Sequence, residues 1–201
     1  MPSIPQKLQQ LQMQIDSLPP GEMLRFPGPN QDMLLATGVL VQTYNYIELN
    51  LRRCVETFIH AKLLTGSSWA RKPTSIRSAR LVEIVKEALV RMTPVPADLQ
   101  DWTAKLDEIS LRWRMRHMFA HWAIRRVPNE DCIILMTNDA REVKKLHERS
   151  KGKLPPILGL GEVRYAIMDA ADVCGVCVHM QSYETWIAQK TADWYKQYAE
   201  S

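Results

Sequence analysis

Apolar positions recur every three or four residues over most of this chain, the period of a helix that buries one face. Ile4, Leu8, Leu11 and Ile15 predict a short amphipathic helix over residues 4–18, stopped by Pro19-Pro20-Gly21. The strongest periodicity follows Asn30, a good N-cap: Leu40, Tyr44, Ile47, Leu51, Cys54 and Phe58 step by four and three. Gly66-Ser67-Ser68 ends that helix. Pro73-Thr74 opens a third, with Ile76, Leu81, Ile84, Val85 and Leu89 on its apolar face. A fourth begins near Ala97-Asp98 and carries Leu99, Trp102, Leu106, Ile109 and Trp113 on one stripe. Pro128-Asn129-Glu130-Asp131 breaks it, and the β-forming run Cys132 to Thr137 predicts a short strand. A short polar helix over 139–149 and a Gly/Pro loop over 151–161 follow. A last long helix starts near Gly161, with Val163, Ile167, Ala170, Val173, Cys174 and Cys177 on one side.

These elements predict a mainly all-α fold, an up-and-down bundle of about four long helices with a strand-like insertion near 132–137. Residues 1–29 form an N-terminal helix or arm and linker, and residues 30–201 the helical domain. The arm packs on the body or on a second copy of the chain. No internal repeat or low-complexity tract is present.

Composition narrows the class. The chain has 201 residues, 46% hydrophobic and 24% charged, enough for one sizeable core. It contains no run of 18 apolar residues, and MPSIPQKLQQLQMQID lacks the apolar stretch of a secretory signal, so a cytoplasmic protein without a membrane span is expected. A net charge of +4 permits nucleic-acid contact without demanding it. Cys54, Cys132, Cys174 and Cys177 are expected as free thiols. The Cys-Gly-Val-Cys pair lacks the βα context of a redox motif and the further ligands of a zinc site, so both cysteines are expected as small buried residues on a helix.

The segment Arg112-Trp113-Arg114-Met115-Arg116-His117-Met118-Phe119-Ala120-His121 carries the candidate chemistry. Continuing the stepping of the fourth helix beyond Trp113 brings Arg116 to the core edge. A guanidinium there needs an anion, either a carboxylate such as Glu48 or a phosphate. His117 and His121 are four apart and share a face. Arginine offers a fork of donors to phosphate oxygens, and histidine exchanges a proton near neutral pH. Together they supply what metal-free phosphodiester cleavage requires.

The string Arg116-His117-Met118-Phe119-Ala120-His121 resembles the R-x4-6-H motif of the HEPN superfamily, helical-bundle proteins that include many RNases of toxin–antitoxin and phage-defence systems. His117 stands where the family commonly has Asn, and Ala120 supplies the small residue before the His. The resemblance covers about residues 30–200. It implies a homodimer with a composite RNA-cleaving site, no cofactor or metal, and a 2′,3′-cyclic phosphate product. It casts Arg116 and His121 as catalytic, Arg116 holding the phosphate and His121 serving the ribose 2′-hydroxyl, with His117 supporting. An antitoxin or other protein partner is compatible with it. On an ideal helix Arg116 and His121 lie about 140° apart, a demand that a second copy would relax. Arg112 with His117, and Arg114 with His121, give alternative registers.

Around this motif, Arg112, Arg114, Arg125 and Arg126 read as RNA-phosphate contacts or as the solvated basic end of a helix. Tryptophans 102, 113, 122, 186 and 194 read mostly as core, with Trp122 the candidate for base stacking. A metal at His117 and His121 would need a third ligand from His60, His147, His179 or a carboxylate. The different-class alternative to a nuclease is a catalytically silent helical dimer that binds a nucleotide, RNA or protein.

Overall fold

The computed structural model describes residues 5–19, 21–64, 76–150 and 154–199. The predicted helix end at Gly66-Ser67-Ser68 and helix start at Pro73-Thr74 lie outside those residues, as do Ile4, Pro20 and the start of the 151–161 loop. Among the described residues there are six α-helices: α1 (Gln6–Asp16), α2 (Gln31–His60), α3 (Ser78–Arg91), α4 (Leu99–His121), α5 (Ala140–Ser150) and α6 (Ala170–Ala199). Four strands, β1 (Ala123–Arg126), β2 (Cys132–Thr137), β3 (Leu158–Leu160) and β4 (Val163–Asp169), form one antiparallel sheet in the order β1-β2-β4-β3. The expected bundle with a minor strand insertion is therefore corrected to a mainly helical fold with a genuine four-stranded sheet. No described helix is long and apolar enough to cross a membrane.

The missed strands have local causes. β1 and β2 are joined through the Pro128–Asp131 stretch, which is a hairpin loop rather than only a helix break. Val127 N–H donates to Cys132 O at 3.0 Å, and Asn129 takes the left-handed conformation, φ 59°. β3 and β4 meet at Gly161, φ 59°, where the left-handed backbone favours glycine. The last helix starts at Ala170, not Gly161. Tyr165, Ala166, Ile167 and Met168 are all buried, so β4 is covered on both faces and shows no alternation. Val163 and Ile167 lie four apart and mimicked a helical stripe.

The chain divides into two compact units, Met1–Val41 with Trp113–Val178 and Gln42–Arg112 with His179–Ser201. In the first, α1 covers one face of the sheet. Leu11 and Ile15 pack with Cys132, Ile134 and Met136 of β2 and with Tyr165 and Ile167 of β4. The pairing Ile134↔Ile167 and Met136↔Tyr165 puts these side chains on one face. Tyr165 Oη donates to Asp16 Oδ1 at 2.6 Å, fixing the end of α1. The N-terminal helix thus packs on the body of its own chain. Asn30 caps α2 as expected, Oδ1 accepting from Met33 N–H at 2.9 Å.

In the second unit the core is aromatic. Trp102 of α4 lies 4.2 Å from Trp186 and 4.4 Å from Trp194 of α6 between ring centroids, and Phe58 of α2 lies 4.6 Å from Trp194. Tyr44, Ile47, Leu51, Cys54 and Phe58 are fully buried along α2, as their spacing predicts. Leu81, Val85, Ala88 and Leu89 bury the face of α3.

Candidate active site at the end of α4

Within the first unit, α4 buries Met115, Met118, Phe119 and, just past its end, Trp122. These three- and four-residue steps take the core side of the last turns. Arg116, expected on that seam, is half-buried beside it because Met115 occupies the inward position. His117 is also half-buried, while Ala120 and His121 are exposed. Trp122 N–H donates to Met118 O at 2.9 Å and closes the helix before β1 begins.

The helical step of four sets His117 and His121 ring against ring, with centroids 4.5 Å apart and planes tilted by 52°. A carboxylate completes the arrangement. Asp139 caps α5, its Oδ1 accepting from the N–H groups of Arg141 and Glu142 at 2.9 Å each. That cap places Glu142 in the first turn, where Oε1 lies 3.1 Å from His117 Nε2. The same oxygen accepts the indole N–H of Trp122. The result is a carboxylate–histidine–histidine line running from the protein body to the surface, with Arg116 next to it in the chain. Glu142 was not singled out by sequence reasoning. The signal available was the Asp139-x-x-Glu142 spacing at a helix start, which fixes a carboxylate at a helix N-terminus.

Other candidates fall elsewhere. Trp122 is only 5% exposed and donates to Glu142, so it anchors that carboxylate and offers no open face for base stacking. Arg125 and Arg126 are neighbours on β1 and point to opposite faces of the sheet. Arg125 pairs with Ile134 on the side covered by α1, and Arg126 with Ile133 on the other. They do not form one basic surface. Arg114 is half-buried.

Arg112 and Glu48 belong to the second unit. Arg112 Nε donates to Glu108 Oε1 at 3.3 Å, and the same oxygen lies 3.2 Å from His179 Nε2. Tyr183 Oη donates to Glu108 Oε2 at 3.1 Å. Burial pushes the Glu108 carboxyl upward, but the Tyr183 and His179 hydrogen bonds and the His179 and Arg112 charges outweigh it and hold it below the usual range. Glu48 Oε1 accepts from Arg52 Nη2 at 2.6 Å, Arg52 Nε at 3.1 Å and Ser78 Oγ at 2.6 Å, tying α2 to the start of α3.

Among the described residues no group of three or more His, Cys, Asp and Glu side chains is arranged to hold a metal ion. The cysteine pair sits on α6 as expected, but only Cys177 is buried. Its Sγ donates to Ala36 O at 3.3 Å, and burial raises its thiol pKa to about 11, whereas Cys174 is exposed.

Compared with family models, curated proteins and solved structures, the chain matches none.

Proposed function

We propose that the protein is a metal-independent endoribonuclease whose reacting group is His121 at the end of α4. The observation that carries this reading is the His117–His121 ring contact braced by Glu142. An exposed imidazole backed by a second imidazole, itself oriented by a carboxylate, is a proton-transfer arrangement. The adjacent Arg116 supplies the positive charge a phosphodiester needs. The resemblance of the Arg116–His121 string to the HEPN motif supports the same assignment.

In this mechanism His121 removes the proton of the ribose 2′-hydroxyl. The 2′-oxygen then attacks phosphorus, and the bond from phosphorus to the 5′-oxygen breaks. Arg116 stabilises the charge that develops on the phosphoryl oxygens. His117, oriented by Glu142, supplies the proton to the departing 5′-oxygen. The products are a 2′,3′-cyclic phosphate and a 5′-hydroxyl. A homodimer would set two such lines beside one RNA strand and bring a second arginine to each phosphate. The test is product analysis: the purified protein, incubated with RNA in EDTA, yields cyclic-phosphate termini. Products ending in 3′-hydroxyls would sink the mechanism.

One observation favours a second reading, a catalytically silent RNA- or protein-binding dimer. Glu142 Oε1 serves both His117 and the buried Trp122, so the pair also contributes to holding α4, β1 and α5 together.

A further inference from the structure

A chemically mixed cavity lies in the second unit, far in sequence from the histidine pair. It is a groove of about 710 Å³ lined by Asn50, Arg53, Glu56, Thr57 and His60 of α2 and by Ala188, Thr191, Ala192, Tyr195 and Lys196 of α6. That volume lies within the range of small-molecule sites. Positions 50, 53, 57 and 60 recur at helical spacing, so one face of α2 forms one wall over about 15 Å.

Its floor and rim differ in chemistry. Asn50 is 7% exposed and lines the groove. Its Nδ2 donates back to Tyr46 O at 3.1 Å, while Oδ1 accepts no hydrogen bond among the described residues. That oxygen is not sealed from solvent and is available to the groove as an acceptor. Thr57 and Thr191 beside it spend their hydroxyl protons on Arg53 O and Ile187 O. On the rim, Arg53, His60, Lys196 and Tyr195 are exposed, and none makes an ion pair or side-chain hydrogen bond among the described residues. Two fixed cations and an imidazole face a single carboxylate, Glu56. Elsewhere in this unit Arg52, Arg91, Arg112 and Lys190 each hold an acidic partner, while Lys62, Arg77 and Arg80 do not among the described residues.

We propose that the α2–α6 groove binds a small phosphate ester. Arg53 and Lys196 take the phosphoryl oxygens, the arginine through its planar fork. The organic part lies against Tyr195 and gives a hydrogen-bond donor to Asn50 Oδ1. This site is independent of the RNA-cleavage reading and stands or falls separately.

The test is isothermal titration of the full chain with adenosine 5′-monophosphate, ribose 5-phosphate and inorganic phosphate. At least one ester binds at a single site and more tightly than phosphate. Arg53→Gln and Lys196→Gln each weaken it about tenfold or more, as expected for charge-assisted hydrogen bonds. Both residues are exposed, so these variants keep the fold, which circular dichroism checks. Asn50→Ala, which removes the acceptor without adding charge, weakens the ester but not phosphate. Absence of binding by all three compounds at a sensitivity of about 1 mM overturns the proposal, as does unchanged ester binding in the Arg53→Gln/Lys196→Gln double variant. Equal affinity for phosphate and the esters overturns the role given to Tyr195 and Asn50.

Discussion

His117 Nε2 lies 3.1 Å from Glu142 Oε1, and its ring centroid lies 4.5 Å from that of His121. The contact joins the last turn of α4 to the first turn of α5, and its geometry depends on the Asp139 cap that positions Glu142. On the proposed mechanism, Glu142→Gln keeps a hydrogen-bond partner for the imidazole but loses the charge. It should lower kcat for RNA cleavage about tenfold with KM little changed, because the carboxylate orients a proton-transfer group. Steady-state kinetics on a short defined RNA check this. A change confined to KM would assign Glu142 to RNA binding.

Trp122→Phe removes the indole donor but keeps most of the buried ring. Glu142 then loses one hydrogen bond, and stability should fall by about 1–2 kcal/mol, an ionised acceptor being worth more than a neutral one. Urea denaturation followed by circular dichroism reads the loss. The same variant should lower cleavage, since Glu142 would be less firmly placed.

The sheet was the part of the fold that sequence periodicity hid. Leu11 and Ile15 of α1 and Tyr44 to Phe58 of α2 were legible because each helix buries one face and leaves the other wet. β4 is buried on both faces, so Tyr165-Ala166-Ile167-Met168 carries no period of two, and its residues merged with the stripe of α6. β1 was hidden because Arg125 and Arg126 continue the basic run of α4. At the candidate site, the four-residue spacing announced the ring contact of His117 and His121. Glu142 was not legible, because its approach depends on tertiary placement of α5. Arg116 stands half-buried at the core edge as its stepping expects, while the buried stripe of α4 shifts from the Trp102–Ile109 line to Met115, Met118 and Phe119.

The docking of α1 rests on apolar burial and on the Tyr165–Asp16 hydrogen bond. Tyr165→Phe should cost about 1 kcal/mol. Ile15→Ala empties a core position and should cost about 2–5 kcal/mol. Thermal or urea unfolding of both variants gives the comparison. Equal, negligible effects would mean that α1 does not cover the sheet.

Glu108 gives a pH prediction. Its folded carboxyl is held below its ordinary value, so it contributes stability that is present above the unfolded pKa, about 4.3. That contribution is lost as pH falls through the lower folded value. Wild-type stability should therefore decline on acidification below that point, and Glu108→Gln should show a shallower decline while being less stable at pH 7. Urea midpoints between pH 3 and pH 7 test it. Parallel pH profiles would remove Glu108 from the account.

The four thiols should separate by burial. Cys54 is enclosed, and desolvation raises its pKa to about 12 against the opposing Thr191 hydrogen bond. Cys132 and Cys177 are also buried, with thiols shifted upward, whereas Cys174 is exposed. Brief maleimide treatment of the native protein at pH 7 should label Cys174 first, with the other three reacting only after denaturation. Mass spectrometry of digested protein locates the label. Rapid native labelling of Cys54 would contradict the packing of α2 against α6.

The central claim is that His121 and Arg116 cut RNA without a metal. Its most direct test is cleavage of a short defined RNA in EDTA by wild type, His121→Ala and Arg116→Ala, with the new termini identified. The account predicts 2′,3′-cyclic phosphate from wild type and a loss of about a hundredfold or more in each variant, the scale of a proton-transfer or oxyanion group. Cleavage at the wild-type rate by both variants would contradict it.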